Sequence, residues 1–144
     1  MCTALLLAQF AAQLPAQTAG ARRGPLTISQ AWSPAVPPTA SVAAVYFSIN
    51  NAGSQPDLLL ALSSPIAARV ELHESRDVHG VLEMRELASL PCPAGATVAS
   101  KPGGLHVMLI GLNRPLIAGT AFPLALRFRD AGNLTLQIPV LNRE

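Results

Sequence analysis

From Leu26 onward, apolar residues come in short runs broken by turn residues, and within several runs they alternate with polar ones. That period belongs to strands and not to helices. Leu26–Trp32 opens the series and is closed by Ser33-Pro34 and Pro37-Pro38. Ser41–Asn50 is rich in β-branched and aromatic residues and suits a buried strand. Asp57–Leu62, Arg69–Glu74 and Val81–Leu87 follow; the last two, separated by His79-Gly80, read as the arms of a hairpin. Leu90–Gly95 reads as a Pro-rich loop, Thr97–Ser100 as a short strand and Leu105–Leu112 as a strong one after the Pro102-Gly103-Gly104 turn. Ala121–Arg129 and Leu134–Val140 make a second hairpin around the four residues Asp130-Ala131-Gly132-Asn133. Pro123 belongs at the start of its strand or on a sheet edge. About eight short strands with turn chemistry between them predict an all-β sandwich or barrel.

The first twenty residues break this pattern. Met1–Gly20 has no charged residue, a short apolar run at Ala4–Ala8, and small residues near Ala21. Residues 1–21 therefore read as a secretory signal peptide or a disordered N-terminal segment, ahead of a domain at 26–141. No Lys or Arg precedes the apolar run, which leaves open a start further upstream or an ordinary N-terminal helix. The stretch is too short and too interrupted to span a membrane.

Composition narrows the class. The chain has 144 residues, enough for one domain with its own core. Half of the residues are hydrophobic and 12% are charged, which excludes intrinsic disorder. A net charge of +2 with no basic run beyond Arg22-Arg23 argues against a nucleic-acid partner. Cys2 and Cys92 form no C-x-x-C pair. Familiar catalytic motifs are missing: there is no G-x-S-x-G, no H-E-x-x-H and no phosphate loop. Glu71, Glu74, Glu83 and Glu86 alternate with Arg69, Arg76 and Arg85 on the hairpin and read as a solvated charge mosaic.

The scarce soft side chains carry more information. His73 and Met84 lie on the two hairpin arms, where strand pairing can bring them side by side. His106 and Met108 flank Val107 on one strand. Their side chains leave the same face, about 6.6–6.8 Å apart along the strand. Two imidazoles and two thioethers are neutral, soft donors that suit Cu(I) better than a hard dication. Thioethers also survive in an oxidising compartment where a thiolate pair would be at risk. Taken one at a time, each of these residues reads more readily as structural, the methionines as core fillers and His73 as an exposed polar residue on an alternating strand; it is the set that points to a metal.

The intervals between these residues form H-x10-M-x21-H-x-M. This constellation resembles the signature of the periplasmic copper chaperone family called PCu(A)C. The flanks resemble that family too: Ile49-Asn50-Asn51-Ala52-Gly53, Val70-Glu71-Leu72-His73-Glu74 and Pro102–Leu112. The resemblance spans Leu26–Val140. It implies a cupredoxin-like or immunoglobulin-like β-barrel or sandwich, not an enzyme, that binds one Cu(I) through His73, Met84, His106 and Met108. It further implies copper handling in the periplasm, with delivery toward the CuA centre of cytochrome c oxidase. The partner would be oxidase subunit II or a thiol-containing assembly factor, and the chain would act as a monomer. Trp32 and Tyr46 would serve the core or the surroundings of the site. His79 and Cys92 lie outside the expected ligand set. An electron-transfer cupredoxin would need a thiolate beside two imidazoles, and no His or Met follows Cys92 within ten residues. The other reading is a metal-free extracellular β-sandwich used as an interaction module.

Overall fold

The computed structural model describes residues 19–143, which form eleven strands and no helix. They are β1 (Ala19–Arg23), β2 (Leu26–Pro34), β3 (Val42–Asn51), β4 (Asp57–Ser63), β5 (Ala67–Val78), β6 (Val81–Leu87), β7 (Leu90–Cys92), β8 (Thr97–Ala99), β9 (Leu105–Leu112), β10 (Ala121–Phe128) and β11 (Gly132–Leu141). Hydrogen bonding runs in the order β6-β5-β9-β3-β2-β11-β10-β4-β7, with β1 added to β2 and β8 to β3. All pairings are antiparallel except the short β2–β11 contact at Ser33–Val140 and Pro34–Leu141. The sheet curls so that β4 packs against β5 and β7 against β3. Between the two halves lie Ile28, Val45, Ile49, Val107 and Leu109 from one side and Leu59, Phe122, Leu124, Leu126 and Ile138 from the other, all buried. The fold is all-β, as the alternation predicts, and cupredoxin-like, as the family resemblance implies.

Two strands escape the sequence pattern. The expected loop at Leu90–Gly95 contains β7, whose Leu90 and Cys92 point inward while Pro91 points out. Because β7 ends the strand order, a missing Pro91 N–H can be tolerated there. Strand β1 pairs with β2 through Arg23–Leu26 and Ala19–Ala31, so the expected leader overlaps it at Ala19–Ala21. The rest of that leader lies outside the described residues. The β10–β11 loop has three residues, not four, since Phe128 pairs with Gly132, whose φ is 84°. Pro123 sits near the start of β10, before the β4 ladder begins at Ala125. Among the described residues, no helix is long and apolar enough to cross a membrane.

A bulge in β2 decides what faces outward. Leu26 and Ile28 are buried; then Gln30 takes φ 55°, the register shifts, and Ala31 and Ser33 become the buried pair. One extra residue flips the side-chain parity. Trp32 is thereby turned outward beside Tyr46, with ring centroids 5.2 Å apart.

A second irregularity fixes β9. Gly111 adopts φ 72°, and the N–H groups of Gly111 and Leu112 both donate to Ser41 O at 3.0 Å. A Cβ on Gly111 would stand 2.8 Å from Ala68 Cβ. We expect Gly111→Ala to cost about 2 kcal/mol through left-handed strain and the clash, read as a lower urea midpoint with an unchanged slope. A midpoint equal to that of the parent would show that the bulge relaxes freely.

Candidate metal centre

Strands β5 and β9 are antiparallel neighbours whose register pairs His73 with His106 and Glu71 with Met108. The intervening Leu72 and Val107 point into the core, which turns the two histidines to the opposite face. The imidazole centroids lie 5.8 Å apart at an interplanar angle of 51°. Met108 is half-buried and also pairs with Ala44 of β3. On the other side of β5, Glu86 of β6 pairs with His73 and Met84 with Ser75. Met84 is thus on the same face as His73, one diagonal step away. The structure gathers His73, His106 and Met108 at the β5–β9 seam. It leaves Met84 on the same face at the sheet margin, 55% exposed.

Each imidazole is held by one nitrogen and offers the other. His106 is 6% exposed, and its Nδ1–H donates to Gly104 O at 2.9 Å. That carbonyl is fixed by the turn before β9 and also accepts from Ser75 N–H at 3.1 Å. Nε2 of His106 therefore carries the free lone pair. His73 Nε2 lies 2.8 Å from Glu71 Oε2, and Arg69 Nε donates to Glu71 Oε1 at 2.7 Å. The carboxylate can only accept, so the proton sits on Nε2 and the lone pair on Nδ1. His73 Nδ1 is buried with no hydrogen-bond partner among the described residues. An unpaired buried acceptor is costly and calls for an explanation. A soft ion bound at that lone pair would satisfy it.

Glu71 is the residue that sequence reasoning missed. It belongs to the expected mosaic, and part of that mosaic exists: Arg76 and Arg85 both reach Glu74 on exposed surface. Glu71, however, faces the histidines. The hydrogen bond from His73, with help from Arg69, holds its carboxyl below the usual carboxylate range despite the opposing effect of desolvation. The available signal was Glu71-Leu72-His73, an i, i+2 spacing that mirrors His106-Val107-Met108. Among the described residues, no three His, Cys, Asp or Glu side chains group as a metal site.

Two other soft residues stand apart. His79 occupies the two-residue β5–β6 turn with φ 53°, followed by Gly80 at φ 80°, the backbone of a type I′ hairpin. It is exposed and lies roughly 20 Å along the strand from His73. Cys92 is a free thiol buried in the core, apart from the histidines. Burial, and then the charge of Asp57, push its thiol up to about 11. With Cys2 replaced by Ser, we expect no reaction of Cys92 with an aromatic disulfide reagent at neutral pH until denaturant unfolds the chain. Rapid labelling of the folded protein would contradict this burial.

Comparison with known proteins places this chain in a family. A family model described as "Putative lipoprotein LpqE-like" matches residues 26–140. "Putative lipoprotein Lxx21020" of Leifsonia xyli subsp. xyli is 35% identical over 133 residues, covering 90% of this chain and 79% of that protein. Among solved structures, apo-DR1885 from Deinococcus radiodurans is 32% identical with a TM-score of 0.65, covering 99% of this chain and 95% of that one. The copper-bound PCuAC domain from PmoF2 superposes with a TM-score of 0.74 at 23% identity, covering 86% and 98% of the two chains, a likeness of fold. The protein described here belongs to the LpqE-like family and has the fold of the PCuAC domains.

Proposed function

We propose that this protein binds one Cu(I) ion as cargo through His73, His106, Met108 and Met84 and passes it on by ligand exchange. The observation that carries the reading is the buried Nδ1 of His73, without a hydrogen-bond partner among the described residues, on a strand whose register sets His73 opposite His106 on the face that also bears Met84 and Met108. Neutral nitrogen and thioether donors favour the cuprous ion. The solved Cu(I) form of DR1885, 29% identical with a TM-score of 0.66 over 92% of this chain, supports the choice of metal. Three donors are shielded and one is open, an arrangement suited to transfer. An acceptor's sulfur can displace Met84 from solvent while the imidazoles still hold the ion. The lipoprotein naming of the relatives supports a location outside the cytoplasm. Delivery toward the CuA centre of cytochrome c oxidase, by way of subunit II or a thiol-containing assembly factor, is the destination that fits such a carrier.

A Cu(I) titration against a colorimetric chelator tests the assignment. One tight equivalent, weakened in both Met108→Ala and His73→Ala, is the expected result. A chain that leaves all copper with the chelator would return the protein to the reading of a metal-free interaction module.

Glu71 gives a finer test. A carboxylate that accepts the distal N–H of a ligating histidine orients the ring and raises its basicity. Glu71→Gln keeps the shape but loses the charge. We expect Cu(I) affinity to fall roughly 10–100-fold, with the one-to-one stoichiometry kept. Unchanged affinity would remove Glu71 from the account of the site.

A further inference from the structure

Strand β6 is the free end of the strand order, and β5 is its one hydrogen-bonded neighbour among the described residues. It is exposed at every position from Val81 to Glu86. Three of those positions are large and apolar: Val81 is 61% exposed, Leu82 65% and Met84 55%. A seven-residue edge with open backbone groups and apolar side chains is a template for another strand. We propose that a second copy of this chain occupies it, antiparallel, about a two-fold axis passing at Met84.

The sequence of β6 selects both the occupant and the register. In a two-fold antiparallel pair, opposed residues share a face, so the axis must pass at a residue and not between two. With the axis at Met84, Glu83 meets the partner's Arg85 and Arg85 meets the partner's Glu83. Val81 then meets the partner's Leu87, Leu82 packs on the stem of the partner's Glu86, and all seven residues are paired. An axis at Glu83, Arg85 or Glu86 would set identical charges face to face. An axis at Leu82 would shorten the ladder to three residues, because His79-Gly80 is the turn. Glu83 has no ion-pair partner among the described residues, and Arg85 has only an exposed contact with Glu74 at 3.4 Å. The two-fold axis doubles the new charge pair.

The contact is small. One strand pair falls short of the roughly 1,000 Å² expected of a stable interface, so the dimer is weak and the expected monomer is its dilute form. Its consequence for the site is specific. The partner's Met84 stands directly opposite Met84 on the face that bears His73, with Cβ atoms about 4.5–5.5 Å apart. Each metal face then borders a thioether of the other copy. That consequence rests on the copper reading; the pairing does not.

Sedimentation equilibrium of the metal-free full chain tests the pairing. A reversible dimer is expected. Glu83→Arg and Arg85→Glu, each alone, weaken it by at least about fivefold, since each removes two cross-strand pairs and adds like-charge contacts. The double variant E83R/R85E restores it. In a Cys2→Ser background, Met84→Cys oxidises to a covalent dimer and Leu82→Cys does not. A monomer at all concentrations, a dimer indifferent to the single changes, a double variant as weak as the singles, or preferential cross-linking through Leu82→Cys would each overturn the proposal. Copper is absent throughout, so failure of the copper reading leaves these outcomes unaffected.

Discussion

We expect His106→Ala to abolish tight Cu(I) binding while the domain stays folded. His106 is the most buried residue of the proposed set, and its Nδ1 bond to Gly104 O aims Nε2 away from the backbone. Losing an outer partner of a metal ligand costs roughly 10–100-fold in affinity, and losing the ligand itself costs more. The fold tolerates the change for a local reason. Gly104 O keeps the N–H of Ser75, so no buried acceptor is orphaned. Val107 and Leu109, which face the core from the same strand, are untouched. Competition with a chelator reads the affinity, and a urea transition reads the fold. Parent-like copper retention would remove His106 from the ligand set.

The largest effect on stability is expected far from that face. Asp57 is buried at the start of β4. Its Oδ1 accepts N–H bonds from Leu58 at 2.7 Å and Asp130 at 3.0 Å, and its Oδ2 accepts one from Ala131 at 2.9 Å. One carboxylate thus ties β4 to the β10–β11 turn. Desolvation would raise its pKa, but the three N–H bonds and the charge of Arg129 outweigh it, and the net shift is downward. Asp57→Ala strands three donors and should cost about 3 kcal/mol, or roughly 10 °C in Tm. A depressed carboxylate stabilises the fold at pH above its unfolded value and loses that contribution as pH falls through its folded value. The parent should therefore lose stability below about pH 4, and Asp57→Asn should show a shallower acid decline. Parallel pH profiles for the two proteins would contradict the role given to this charge.

Much of the site's local geometry can be read from the residues themselves. His106-Val107-Met108 on a strand sets two donors on one face, and His79-Gly80 announces the hairpin that carries His73 and Met84. Long-range register cannot be read in this way. That His73 pairs with His106 and not with a neighbour two residues away depends on how β5 slides against β9, which is fixed by packing of Leu72 and Val107 and by the Gly111 bulge. Strand β1 was hidden because Ala19-Gly20-Ala21-Arg22-Arg23 has no β-branched or aromatic residue; tertiary pairing, not propensity, makes it extended. Strand β7 was hidden by Pro91 within it and Pro93 just after it. Glu71 looked like its charged neighbours because strand parity alone does not say which face will hold the histidines' partners.

The ligand set itself is the central claim, and X-ray absorption at the copper edge of the Cu(I)-loaded protein addresses it directly. Two imidazole nitrogens and two sulfurs around one copper are predicted, with sulfur scattering lost in the Met84→Ala/Met108→Ala double variant. A shell of nitrogen and oxygen alone, or a sulfur signal that survives in that variant, would contradict the assignment.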